Sequence, residues 1–188
     1  MWTTRLAVIA APTLTVAYGL IRLLDGLDGA HGPGLLWTVG HLAFFAALIL
    51  FVRVLLTARR MAGGGAVATA AAVAGVAGVC CGLVQIGIDI VVGVVAADRA
   101  AMGRMFSDVQ EVPGVAFVVY GPGPALFYLG LIALVGHLAA VRTVPVWAPV
   151  LLVLGVGVTL AGLDLLPLGG LLMLAALAPL ARRRPAYA

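Results

Sequence analysis

The sequence contains no lysine, only seven acidic residues and only two cysteines in 188 residues. Charged residues make up 10% of the chain, whereas a soluble domain carries about 25%. A soluble globular protein is therefore excluded. Disorder is excluded as well, because disordered chains are polar and this one is 64% hydrophobic with a mean hydropathy of +1.21. The two cysteines, Cys80 and Cys81, are adjacent in an apolar run. Helical neighbours point about 100° apart, so they do not suit a mutual disulfide, and a metal site needs more ligands at wider spacing. They read as small packing residues.

What the chain has instead is long apolar segments. A span needs about 20 apolar residues, and 188 residues hold about six with short loops. Six segments stand out, at about 3–24, 35–57, 67–96, 121–142, 145–163 and 166–181. The expected fold is an all-α integral membrane protein, with one domain over 1–188. It is a bundle of six transmembrane helices with a short amphipathic helix at the outer interface. The first segment runs on too long for a signal-peptide core and lacks a cleavage motif, so it reads as a retained span.

All eleven basic residues are arginines, a usage typical of a GC-rich bacterial genome. The net charge of +4 and pI of 9.7 do not point to nucleic acid, because in a membrane chain the placement of charge carries the information. With the N-terminus inside, the inner ends hold Arg5, Arg53, Arg59, Arg60, Arg142 and Arg182 to Arg184. The outer ends hold Arg22, Arg99 and Arg104 with all seven acids. The inner side totals +8 and the outer side −4. This positive-inside pattern places both termini in the cytoplasm of a bacterial plasma membrane.

Small residues allow spans to approach closely, and Ala70, Ala74, Gly78 and Gly82 repeat every four residues in the third span. Residues 31–40 resemble residues 121–130, each a Gly-Pro turn opening a helix that enters from the outer side. The rest of the two halves does not align. The long connection 98–120 places Met102, Met105, Phe106 and Val109 at helical spacing, ended by Pro113-Gly114. It is either an interfacial connector or a cover over a binding site.

Ionisable groups inside spans are costly and mark candidate functional residues. Asp89 is the sharpest of them. It shares a helix face with Cys81 and Gln85 and lies about 12 Å below the outer end of its span, at 1.5 Å per residue. His41 lies at a similar depth in the second span, so the two can meet. Each reads either as a hydrogen-bonded packing residue or as a proton-transfer group. Asp164 reads as an N-cap of the last helix or as a second acid at the same level. Arg22 reads as a counter-ion for either acid, or as a side chain reaching the headgroups. Arg53 and His137 lie toward the inner side, and His137 is too deep to share a haem iron with His41.

The expected catalytic residues are thus Asp89, Asp164 and His41. Arg22, Trp37, Gln85, Met102, Phe106, Tyr120, Phe127 and Tyr128 are the expected substrate-binding residues. The aromatics among them also fit an interfacial belt. No metal or cofactor motif is present, and the expected partners are membrane lipids and a lipophilic small molecule. An acid held neutral in an apolar pocket protonates an alkene, and aromatic faces stabilise the resulting cation. The leading expectation is therefore metal-independent acid catalysis on an isoprenoid-like substrate, by isomerisation or cyclisation. The alternatives are a small proton-coupled transporter and a non-catalytic membrane subunit.

Overall fold

The computed structural model describes residues 2–182. Arg183 and Arg184, two of the expected inner-side charges, lie outside the described residues. The described residues are all-helical, with no strand. The helices are α1 (Trp2–Asp25), α2 (Leu35–Met61), α3 (Ala66–Val95), α4 (Arg99–Glu111), α5 (Val115–Val118), α6 (Pro122–Ala140), α7 (Trp147–Ala161) and α8 (Leu166–Arg182). A single 3₁₀ turn, Leu163–Leu165, joins α7 to α8.

Five stretches are long and apolar enough to cross a membrane: Arg5–Asp25, Leu35–Met61, Ala66–Val95, Val115–Ala140 and Leu163–Arg182. α7 is shorter than its sequence segment suggests. Its 15 residues extend about 22 Å, against a hydrocarbon core of about 30 Å. Extended backbone at Gly162 ends it, and the chain reverses through the 3₁₀ turn.

Local chemistry sets the helix boundaries. Asp98 caps α4, its Oδ1 accepting the Ala101 N–H at 2.7 Å. After α4, Pro113 is followed by Gly114 at φ 88°, a left-handed conformation that favours glycine. α6 opens with Pro122 in its first turn, where the missing N–H costs nothing.

The six long helices close into a ring in the order α6, α3, α2, α1, α8, α7 and back to α6. One end of the ring is solidly packed. Phe51 and Leu55 of α2, Leu131, Leu134 and Leu138 of α6, Leu152 of α7, and Met173 and Leu177 of α8 are all essentially inaccessible there.

α3 and α6 touch backbone to backbone. A Cβ on Gly78 would land on the backbone of Leu126, at 2.7 Å, and on that of Phe127. A Cβ on Gly130 would meet the Ala71 carbonyl and the Gly75 nitrogen, each at 2.5 Å. The contact column is therefore Ala71, Gly75 and Gly78, which corrects the four-residue ridge expected from sequence. Ala70 is exposed and Ala74 only half-buried. A strict four-residue repeat drifts about 40° round a helix at each step, so its outer members leave the interface.

This contact yields a sharp contrast. Gly78→Ala forces α3 from α6 and is expected to cost about 1–3 kcal/mol. Gly87→Ala, where an added Cβ meets nothing within 4 Å, is expected to be neutral or slightly stabilising. Thermal unfolding of both variants in the same detergent checks this, and equal midpoints would refute the close-contact reading.

Candidate functional site

The other end of the ring is hollow. Six helices and the 3₁₀ turn enclose a cavity of about 280 Å³. Three helix faces supply most of its wall, each at 3.6-residue periodicity. α1 gives Tyr18 and Arg22; α2 gives Trp37, His41, Phe44 and Leu48; α3 gives Gly78, Gly82, Gln85, Ile86 and Asp89. Pro124, Phe127 and Tyr128 come from α6, with Thr159, Leu163 and Leu166 completing the wall. Phe127 packs on the inaccessible Phe51, ring centroids 4.8 Å apart, and so separates the cavity from the packed end.

Asp89 and His41 face each other here, both buried, with Asp89 Oδ2 3.8 Å from His41 Nε2. His41 Nδ1 lies 2.7 Å from the Trp37 carbonyl oxygen. A carbonyl only accepts, so Nδ1 carries the hydrogen, and Nε2 of the neutral ring offers its lone pair to the cavity. The Tyr18 hydroxyl stands 3.4 Å from that same Nε2. Tyr120 donates its hydroxyl to Asp89 Oδ1 at 3.3 Å. Because Nε2 is an acceptor in this tautomer, a favourable contact with Asp89 Oδ2 needs one proton between them, on the carboxyl or on the imidazole.

Trp37 locks the pair in place. Its indole N–H donates to the Asp89 backbone carbonyl at 2.9 Å, and its ring stacks on His41 with centroids 4.1 Å apart. The indole fits because Gly93 has no side chain; a Cβ there would overlap the Trp37 ring. On the other side Tyr18 meets His41 edge-on at 5.2 Å and stacks on Phe44 at 4.8 Å.

The structure thus brings Arg22, Trp37, His41, Gln85, Asp89, Phe127 and Tyr128 to one cavity wall. Tyr120 reaches the site through Asp89 without lining the cavity. Asp164 stays outside, in the 3₁₀ turn, with its side chain 69% exposed and its Oδ1 3.7 Å from Arg22 Nε. Met102 is buried on α4, and Phe106 stands 6.3 Å from the Trp37 ring; neither lines the cavity. Cys81 faces Gly123 of α6 and does not share the cavity with Gln85 and Asp89. Tyr18, Phe44 and Thr159 are wall residues that sequence reasoning missed. The signal for Tyr18 was its position one turn before Arg22, and for Phe44 one turn after His41. Among the described residues, no group of three or more His, Cys, Asp or Glu side chains is arranged to hold a metal ion.

One ionic contact ties α4 to the rest. Arg99 donates to Asp28 and to the Ala30 carbonyl, the latter at 2.7 Å, and its stem crosses Gly32. The Arg99 hydrogen bond, assisted by the Ala30 N–H, holds the Asp28 carboxyl below the usual aspartate range. A lowered carboxyl value means the contact stabilises the fold above the unfolded-state value, about 3.9, and is lost as pH falls through the folded one. The carboxyl carbon of Asp28, followed by NMR through a pH titration, is expected to titrate below free aspartate and to return toward it in Arg99→Gln. An unchanged midpoint in the variant would exclude the contact in solution.

No protein-family model, curated protein or solved structure matches this chain.

Proposed function

We propose that the chain is an integral membrane protein that crosses a bacterial plasma membrane six times, with both termini cytoplasmic. In this reading α7 and α8 are the fifth and sixth spans, joined as a short hairpin, and α4 lies on the outer interface. Charge placement supports the orientation. Arg59, Arg60 and Arg182 sit at the packed end of the ring, and Asp25, Asp28, Asp98 and Asp164 at the cavity end. The composition of α4 supports its placement, with Met102, Met105, Phe106 and Val109 interleaved with charged residues.

The cavity then opens toward the outer leaflet and takes a lipophilic, isoprenoid-like molecule, which it isomerises or cyclises by acid catalysis. The observation that carries this reading is the Asp89–His41 pair, buried at the wall of a cavity otherwise rich in aromatic and aliphatic side chains. Protonated Asp89 breaks its O–H bond and forms a C–H bond at one alkene carbon. The cation left on the neighbouring carbon is stabilised by the faces of Trp37, Phe127 and Tyr128. His41 Nε2, held as an acceptor by Trp37, removes a proton from an adjacent carbon, and a new C=C bond forms. The imidazolium then returns a proton to Asp89 across the 3.8 Å gap, so the cycle consumes none. No metal takes part in any of these steps.

The test is turnover of prenyl alkenes by the purified chain in lipid, run in D₂O. Product is expected to carry deuterium at the protonated carbon, and Asp89→Asn is expected to lose activity by about a hundredfold or more. The Asn side chain still accepts the Tyr120 hydroxyl, so the fold is expected to survive. Undiminished turnover by Asp89→Asn overturns the acid assignment. Proton flux into liposomes that depends on Asp89, without any product, replaces the enzyme by a proton-coupled carrier. An Asp89→Asn change that alters only the melting temperature leaves a structural subunit.

A further inference from the structure

Arg22, the guanidinium in the cavity wall, takes no part in the proton cycle. Its side chain is only 18% exposed, and although the guanidinium also interacts with the Tyr18 hydroxyl, its Nε is buried without a hydrogen-bond partner. The carboxylate paired with it, Asp164, stands at 3.7 Å, beyond the 2.7–3.2 Å of an N–H···O bond. Asp164 is itself well solvated, so the pair is loose. A buried donor left unsatisfied is costly, and a guanidinium is shaped to grip planar or tetrahedral oxyanions. Arg22 lies one turn beyond Tyr18, so its charge faces the same cavity as His41 and Asp89. Gln85, His41 and Asp89 form a polar strip on the α2 and α3 side, and Phe44, Leu48 and Phe127 form an apolar one. The cavity thus carries one guanidinium, at Arg22, beside an apolar strip.

We propose that the cavity selects a lipophilic molecule bearing an anionic oxygen head, a carboxylate or a phosphate. Arg22 binds the head, and the apolar body lies along Phe44, Leu48 and Phe127. Asp164 is the counter-ion that the head displaces. This proposal rests on the reading of the cavity as the site of a lipophilic molecule, and it adds the head group that such a molecule carries.

The experiment measures binding of three radiolabelled probes with the same C15 prenyl chain to the full chain in lipid nanodiscs: farnesol, farnesoic acid and farnesyl phosphate. At least one anionic probe is expected to bind about tenfold tighter than the alcohol, the size of one charge-assisted hydrogen bond. Whichever anion binds tighter identifies the head as carboxylate or phosphate. Arg22→Gln is expected to erase the preference, the anions losing about tenfold and the alcohol much less, and Arg22→Lys to restore part of it. Asp164→Asn is expected to tighten the anion severalfold and leave the alcohol alone, and it decides the matter if Arg22→Gln fails to fold. Equal affinity for alcohol and anions, or a preference that survives Arg22→Gln, overturns the head-group assignment while the lipophilic cavity stands. Absence of binding by all three probes overturns both readings.

Discussion

An aspartate whose side chain is only 12% exposed inside an apolar helical bundle has to find hydrogen-bond partners or pay a penalty of several kcal/mol. The way Asp89 is satisfied organises the whole polar end of this protein. Its Oδ1 takes the Tyr120 hydroxyl, its Oδ2 faces His41, and its backbone carbonyl takes the Trp37 indole. Those partners come from α6's leading segment and from α2. The first turns of α2 are thereby fixed against α3, and the His41 tautomer is set by its own helix at Trp37. Losing Trp37 would release both the ring orientation of His41 and its grip on α3. The absent side chain of Gly93 is a condition for all of it.

The ring differs along its axis. At one end inaccessible Leu, Phe and Met side chains fill the interior, and the close contact of α3 with α6 runs from there, at Ala71 and Gly75, up to Gly78 at the cavity wall. At the other end larger polar and aromatic side chains line a wall and leave about 280 Å³ between them. The Phe51–Phe127 contact is the boundary. The packed half holds the helices that carry Asp89 and His41, and the proton transfer proposed between the two depends on their staying in place. α4 is less firmly held, by the exposed Arg99–Asp28 pair and by Phe106 near Trp37.

Much of the fold was legible because a helix that crosses a bilayer has to be long and apolar. Five of the expected segments appear as helices long enough to cross, and the helical stretch after Asp98 appears as α4. The reversal between α7 and α8 was legible too, because Asp164 and Pro167 interrupt the apolar run between the expected spans 145–163 and 166–181; α7 is only a few residues shorter than its segment. The juxtaposition of His41 and Asp89 was legible from depth alone, since both lie a few turns from the same end. Asp164 was not, because depth says nothing about the direction a turn residue points; its side chain is exposed. Met102 and Phe106 were grouped with the cavity because a helical face of apolar residues looks the same whether it covers a ligand, a neighbour or lipid. Tyr18 was overlooked because a single tyrosine in a span resembles an interfacial anchor until its partner is known.

The Asp89–His41 pair is proposed to face a cavity that a lipophilic molecule occupies. The most direct measurement is an experimental structure at high resolution, determined in lipid nanodiscs without added detergent. The account predicts elongated density within the ring, touching Phe44 and Phe127, with Asp89 Oδ2 and His41 Nε2 still facing each other beside it. A collapsed ring, with Asp89 and His41 each bonded separately into closed helix contacts, would contradict it.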